Sequence, residues 1–315
     1  MNAASANPLT SQAPAPDLSV VVIVLGPQPN LARCLTALQQ QALPGAQSFE
    51  IIVPCDDRSS HAQPLRDEFP GVQFLVLKAG QKSFAALRSA GLLASRAPIV
   101  AITEDQCIPP RDWCANILAA HRLHAAAAIG GSVDKQGADT ALNWAIYLRE
   151  LGVGYMPPVA DAPSLHLTDC NVTYKRAALD AIAGVWREEF HEPQVHGALQ
   201  ARGGELRLSP ALLTFQQRSF QLDAAVAERY DFGRLYGSLR VKDASVAKRV
   251  LLAAAALLLP FLLTARVLLT AFRKRHHRWQ SIRTLPHLLL LSGVWAWGEL
   301  LGYLTAKLPA TRRPV

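Results

Sequence analysis

Residues 98–113 read PIVAITEDQCIPPRDW: an apolar run, Ile99 to Ile102, gives way to Glu104 and Asp105, and Pro109 and Pro110 then bar a continuing strand. A short apolar run between turn residues fits a fully buried strand of a parallel sheet. In open α/β sheets, ligands sit beyond the carboxyl ends of the strands. Paired acids emerging there suit a metal ion, or the sugar and phosphate groups of a nucleotide. The same two acids equally suit a solvated turn with carboxylates near a helix start.

Upstream, Leu18–Leu25, Phe49–Val53 and Val72–Leu77 are three further β-branched or apolar runs that predict strands. Between them, Asn30 is placed to cap a helix with an apolar stripe of Leu31, Cys34, Leu35 and Leu38. Ser83–Ser95, rich in Ala and Leu, predicts a second helix leading into the Ile99 strand. Strands alternating with helices argue for βαβ units and a doubly wound, mostly parallel sheet. No GxGxxG follows the first strand and no GxxxxGK[ST] occurs, so the ordinary dinucleotide fingerprint and the P-loop are absent. Asp56 and Asp57 follow the second strand, where a nucleotide-binding acid or a plain turn would sit.

Downstream, a helix is expected from Trp113 to about His124, a strand over Ala126–Val133 and a helix over Asp139–Leu151. Gly152–Leu167 is rich in Gly and Pro and reads as a loop over a site. After a short element at Asp169–Arg176, a helix beginning near Glu192 ends at Gly203-Gly204.

The chain of 315 residues carries 32 basic and 24 acidic side chains, a net charge of +8, and half its residues are hydrophobic. The basic residues are densest beyond Arg229, beside apolar segments, which favours an anionic membrane surface over nucleic acid. Five cysteines without CxxC spacing suggest free thiols in a reducing compartment.

In their order and spacing these pieces resemble glycosyltransferase family 2, the inverting enzymes of GT-A fold, from Leu18 to about Gln217. The family's DDGS reads Asp56-Asp57-Arg58-Ser59, and the resemblance implies that these acids hold the nucleotide. Its ARN-x-G helix is matched by Leu87-Arg88-Ser89-Ala90-Gly91, which implies that Arg88 faces the donor. Its DxD is similar to Glu104-Asp105-Gln106, implying a divalent cation, Mn or Mg, with Gln106 a neutral oxygen in the last place. Its acceptor-side motif resembles Cys170-Asn171 with Lys175 and Arg176. Its ED pair looks like His191-Glu192, which implies Glu192 as general base. The implied activity is transfer of a sugar, with inversion, from a nucleotide-sugar donor to a glycan or lipid-linked acceptor. Gln106 and Arg58 depart from the pattern and keep a second reading open, a catalytically impaired GT-A scaffold in a polysaccharide-assembly complex.

The expected organisation is a disordered tail (1–16), a GT-A catalytic domain (17–219), an amphipathic interfacial or surface helix (220–248), two apolar membrane segments (249–308; about 250–272 and 285–304) and a tail (309–315). Each apolar segment is long enough to span a bilayer. Two full crossings would place the basic loop Arg273–Thr284 outside, against the positive-inside tendency, whereas a re-entrant hairpin broken at Pro260 keeps the basic flanks on one side. Both arrangements fit the sequence. The expected location is the inner membrane, with the catalytic domain facing the cytoplasm.

Overall fold

The computed structural model describes residues 14–25, 30–56, 62, 64–77, 80, 82–242 and 244–307. Asp57 and the two tails beyond 13 and 307 lie outside the described residues.

The first half of the chain alternates strand and helix: β1 (Leu18–Ile23), α1 (Asn30–Gln39), β2 (Phe49–Cys55), α2 (Leu65–Glu68), β3 (Val72–Val76), α3 (Phe84–Ala94) and β4 (Ile99–Glu104). Leu31, Cys34, Leu35 and Leu38, at helical spacing on α1, are all buried. The side chain of Ser83 caps α3, accepting from the Ala86 amide at 3.0 Å. These strands form a parallel half-sheet in the order β3-β2-β1-β4. Burial on both faces explains why they read as continuous apolar runs.

The second half is mixed: β5 (Cys107–Ile108), α4 (Trp113–Leu123), β6 (Ala128–Lys135), α5 (Ala141–Tyr147) with a π-helical turn at Leu148–Gly152, β7 (Ala162–Pro163), β8 (Asn171–Lys175), α6 (Arg176–Asp180), α7 (Ala183–Trp186), α8 (Glu192–Ala201) and β9 (Leu206–Gln216). The sheet continues from β4 through β8, β6 and β9 to β5, with β7 on β9. β8 runs antiparallel to both β4 and β6, while β9 runs parallel to β6. Gly203, at φ +79°, closes the turn after α8 in a conformation only glycine adopts freely.

Five helices follow: α9 (Leu222–Arg240), α10 (Val246–Ala256), α11 (Leu259–Lys274), α12 (Arg278–Arg283) and α13 (Leu285–Thr305). The apolar stretch 250–272 is therefore not one straight segment; α10 and α11 meet at a 52° bend just before Pro260. The prolyl ring lacks an amide donor and is tolerated there because it opens the new helix. Among the described residues, α13 is the single unbroken helix long and apolar enough to cross a membrane.

α9 packs along α13 rather than standing alone. A Cβ added at Gly233 or Gly237 would lie 2.3 Å from the carbonyl oxygen of Trp295 or 2.4 Å from that of Glu299. One added at Gly298 or Gly302 would lie 2.4 Å from the carbonyl oxygen of Tyr230 or 2.6 Å from that of Arg234. Two GxxxG pairs thus face each other and bring the helix backbones together, and the rising register shows that the helices run parallel. α9 also carries Glu228, Arg229, Asp231, Arg234 and Arg240, of which Arg234 and Arg240 reach Thr305 and Tyr303 of α13. Glu299 of α13 is buried and accepts from the Trp295 indole at 2.7 Å and from the Tyr303 hydroxyl, so local partners satisfy it rather than Arg266. The basic corner between α11 and α13 folds back onto the catalytic half, where Arg283 pairs with Asp139 at 2.6 Å.

Candidate active site

The carboxyl ends of the parallel strands deliver the acids. Glu104 is the last residue of β4 and pairs in register with Ile23 of β1. Glu104 lines a cleft of about 490 Å³ together with Asp169, Glu192, Tyr155, Arg149 and Arg218. Asp169 precedes β8, and Glu192 is the first residue of α8, so the antiparallel insertion of β8 beside β4 brings both acids to the same rim.

Acidic side chains outnumber basic ones in the lining of this cleft. Burial pushes the Glu104 carboxyl well above its ordinary range, and the neighbouring Asp169 carboxylate pushes it further; Arg88 and Arg218 oppose this. Burial and Asp169 likewise raise Glu192 to about 9, against the pull of Arg88. Asp105, almost fully buried, is raised to about 7 by desolvation, although the Leu25 and Gln106 amides favour its anion. Two carboxyls perturbed together in one concave site, Glu104 and Glu192, with Asp105 adjacent in sequence, mark a place that a cation or a cationic partner relieves.

Arg88, on α3, forms an ion pair with Asp169. Below Glu192, His196 Nδ1 lies 3.8 Å from its carboxylate, and His196 Nε2 is 2.9 Å from the Tyr174 hydroxyl. In the same lining, Glu150 is bound by Arg229 at 2.6 Å and Arg218 at 3.3 Å, and Arg149 lies over the Trp295 ring at 5.4 Å. A second cleft of about 560 Å³ shares Arg149, Glu150 and Tyr155 with the first and runs to Leu263 and Arg266 of α11. Residues 153–155 and 163–166 of the Gly- and Pro-rich loop line it.

Of the residues singled out from the sequence, Glu104, Arg88 and Glu192 are brought together. Asp56 is buried at the end of β2 and accepts from the Lys82 amide at 2.8 Å. Gln106 is buried, and its Oε1 has no partner among the described residues. His191 turns outward to Glu189 at 3.0 Å. Asn171 is fully buried: it accepts from the Trp113 indole at 3.0 Å and donates to the carbonyls of Ser132 and Leu212 at 2.9 and 3.0 Å. Arg176 lies at the start of β4, the far end of the strand, donating to the carbonyls of Leu92 and Ser95 at 3.1 Å each. Neither is aimed at the cleft: Asn171 ties β8 to β6, α4 and β9, and Arg176 caps the end of α3. Sequence reasoning missed Asp169, Tyr155, Arg149, Glu150 and Arg218. Asp169, directly before the Cys170-Asn171 pair, was the one with a local signal.

A GT-A-like α/β fold with a carboxylate-lined cleft at the end of β4 is the architecture of a nucleotide-sugar-dependent glycosyltransferase. The sequence profile of Glycosyl transferase family 2 matches residues 19–183, and the chain belongs to that family. Among solved structures it is similar to the crystal structure of S. aureus TarS residues 1–349, with 13% identity and a TM-score of 0.48 over 92% of this chain and 90% of that one. No curated protein matches the sequence.

Proposed function

We propose that this glycosyltransferase moves a sugar, with inversion, from a nucleotide diphosphate donor to a hydroxyl of a membrane-proximal glycan or lipid-linked acceptor, with Glu192 as general base. The observation that carries this reading is the shared cleft of Glu104 and Glu192, both of which feel the charges of the Arg88–Asp169 pair. In a single displacement the acceptor oxygen gives its proton to the Glu192 carboxylate and attacks the anomeric carbon. The bond from that carbon to the diphosphate oxygen breaks, and the diphosphate leaves with the electron pair. Arg218 and Arg149 line the same cleft, where guanidinium groups suit a leaving diphosphate.

The oxygen-only donor set of Glu104, Asp105 and Gln106, with its orphaned Gln106 Oε1, fits a hard divalent cation, Mn or Mg. Glu104 and Asp105 would hold it, and when bound it neutralises charge on the diphosphate. Glu192 is protonated at neutral pH while the cleft is empty, since its pKa lies near 9. A cation held by Glu104 would lower that value and favour the ionised base. Buried walls exclude water, and the donor is not spent on hydrolysis. Asp56 and Asp57 are proposed as nucleotide contacts.

The membrane reading rests on α10 and α11, which expose Val250, Leu251, Leu257, Leu258, Phe261 and Leu262 around their bend. α9, charged and backbone-close to α13, disfavours a simple lipid-surrounded span for that pair. The helices are read as seated in one leaflet of the inner membrane, with the catalytic half and the basic corner on the cytoplasmic side. The second cleft, which reaches α11, is then the approach for an acceptor lying in or near the bilayer.

The test is Glu192→Gln in the full chain. Transfer should fall by about a thousandfold or more while donor affinity stays within a few-fold. Undiminished turnover would remove Glu192 from its role.

A further inference from the structure

Outside the cleft, three ligand atoms converge where the C-terminal helices meet the catalytic half. Asp134, near the end of β6, has His276 Nε2 at 3.0 Å from Oδ2 and His277 Nε2 at 2.6 Å from Oδ1. One ligand atom from each of the three lies within 4.8 Å of the others. The two adjacent histidines reach one carboxylate because the corner between α11 and α12 is folded unusually: Arg275 and His277 sit at φ +55° and +52°, in the left-handed region. The ring centroid of Trp144 is 4.5 Å from that of His277. The Tyr147 hydroxyl lies 3.3 Å from Asp134 Oδ1 while donating to the Val133 carbonyl at 2.9 Å. Lys135 Nζ turns away to the carbonyls of Gln136 and Ala138, so no ammonium occupies the place between the rings.

We infer that Asp134, His276 and His277 form a binding site for a borderline divalent transition ion of the Zn²⁺ class, separate from the nucleotide cleft and clamping the α11–α12 corner to β6. Two imidazoles and one carboxylate are the donor set of such ions, whereas the cleft offers oxygen alone. A tetrahedral site with bonds near 2.0 Å has ligand edges of about 3.3 Å. To reach that edge the His276 and His277 Nε2–oxygen distances, 3.0 and 2.6 Å, need to open by less than about 1 Å. With the hydrogen on Nδ1, each Nε2 lone pair is free for the metal, and the carboxylate donates as it stands. The bound ion would hold the helices against the catalytic half through bonds stronger than a histidine–carboxylate contact.

The test uses the full chain, free of any polyhistidine tag, stripped with a chelator and titrated with Zn²⁺ against a chromophoric competitor. Wild type should retain one equivalent after gel filtration and gain several degrees in Tm. Asp134→Asn, His276→Ala and His277→Gln should each weaken binding by about tenfold or more. X-ray absorption of the Zn²⁺-loaded wild type, which needs no variant to fold, should show two imidazole scatterers. Absence of retained Zn²⁺, wild-type affinity in all three variants, or a spectrum without two imidazoles would overturn the site and leave a hydrogen-bonded histidine–carboxylate contact.

Discussion

Arg88 and Asp169, 81 positions apart in sequence, are ion-paired at the floor of the cleft, and the charges of both act on Glu104 and Glu192. Asp169 raises the pKa of both carboxyls and Arg88 lowers it, so the pair sets the pH at which the proposed base becomes available. Asp169→Asn should move the rising limb of kcat/KM against pH to lower pH, and Arg88→Met should move it to higher pH. Profiles of the two variants measured side by side check the opposed directions. Shifts of the same sign would contradict the pairing as the controlling element.

The raised carboxyls also predict how stability follows pH. Glu192, at about 9 in the folded state, holds a proton that the unfolded chain has released above about pH 4.3. Asp105, at about 7, behaves in the same way. The folded state therefore binds more protons, and stability should fall as pH rises through this window. Burial lowers His121 and His196 to about 4, which adds the opposite slope, confined below about pH 6.5. Between about pH 7 and 9 the fall should dominate. Tm recorded across that range should decline in wild type and decline less in Glu192→Gln. Mn²⁺, which competes with these protons, should stabilise more at the alkaline end.

The close approach of α9 and α13 makes a sharp pair of predictions. A side chain at Gly237 would meet the Glu299 carbonyl, so Gly237→Leu must part the helices and should cost about 3 kcal/mol or more. Gly293, in α13, has nothing within 4 Å of an added Cβ, and Gly293→Ala should stabilise by about 0.5–1 kcal/mol. Thermal or denaturant unfolding of the two variants distinguishes the contact from a general intolerance of substitution in these helices.

Asn171 is predicted to act on stability rather than on acceptor binding. Asn171→Ala leaves the Trp113 indole and the Ser132 and Leu212 carbonyls without their partner. The cost should be roughly 2–4 kcal/mol. Folded protein below its melting range should keep the wild-type KM for acceptor, and a large rise in that KM would return Asn171 to the acceptor side.

The parallel half of the fold was legible because burial on both faces writes strands as plain apolar runs and because Ser83 and Gly203 punctuate helices by their local chemistry. Glu104 and Glu192 were legible because each sits at an element boundary, Glu104 closing β4 and Glu192 opening α8. The wall built from Arg149, Glu150 and Arg218 was not, since it forms when the π-helical turn after α5 meets the residues following β9, a tertiary encounter without a local pattern. A spacing match reveals neither that the Asn171 side chain turns into the core, although its backbone lies at the cleft end of β8, nor that Arg176 follows the opposite end of that strand. The bend before Pro260 was signalled by the proline, but not the return of the basic corner onto Asp139 and Asp134. That return depends on side-chain partners far away in sequence.

The central claim is that the cleft at the end of β4 binds a nucleotide sugar through Glu104. Calorimetric titration of a nucleotide-sugar panel into the full chain with Mn²⁺ present tests it most directly, in wild type and in Glu104→Gln. One donor should bind wild type at a single site, and its affinity should fall by about tenfold or more in the variant. Failure of every nucleotide sugar to bind, or equal affinity in the two proteins, would contradict the account.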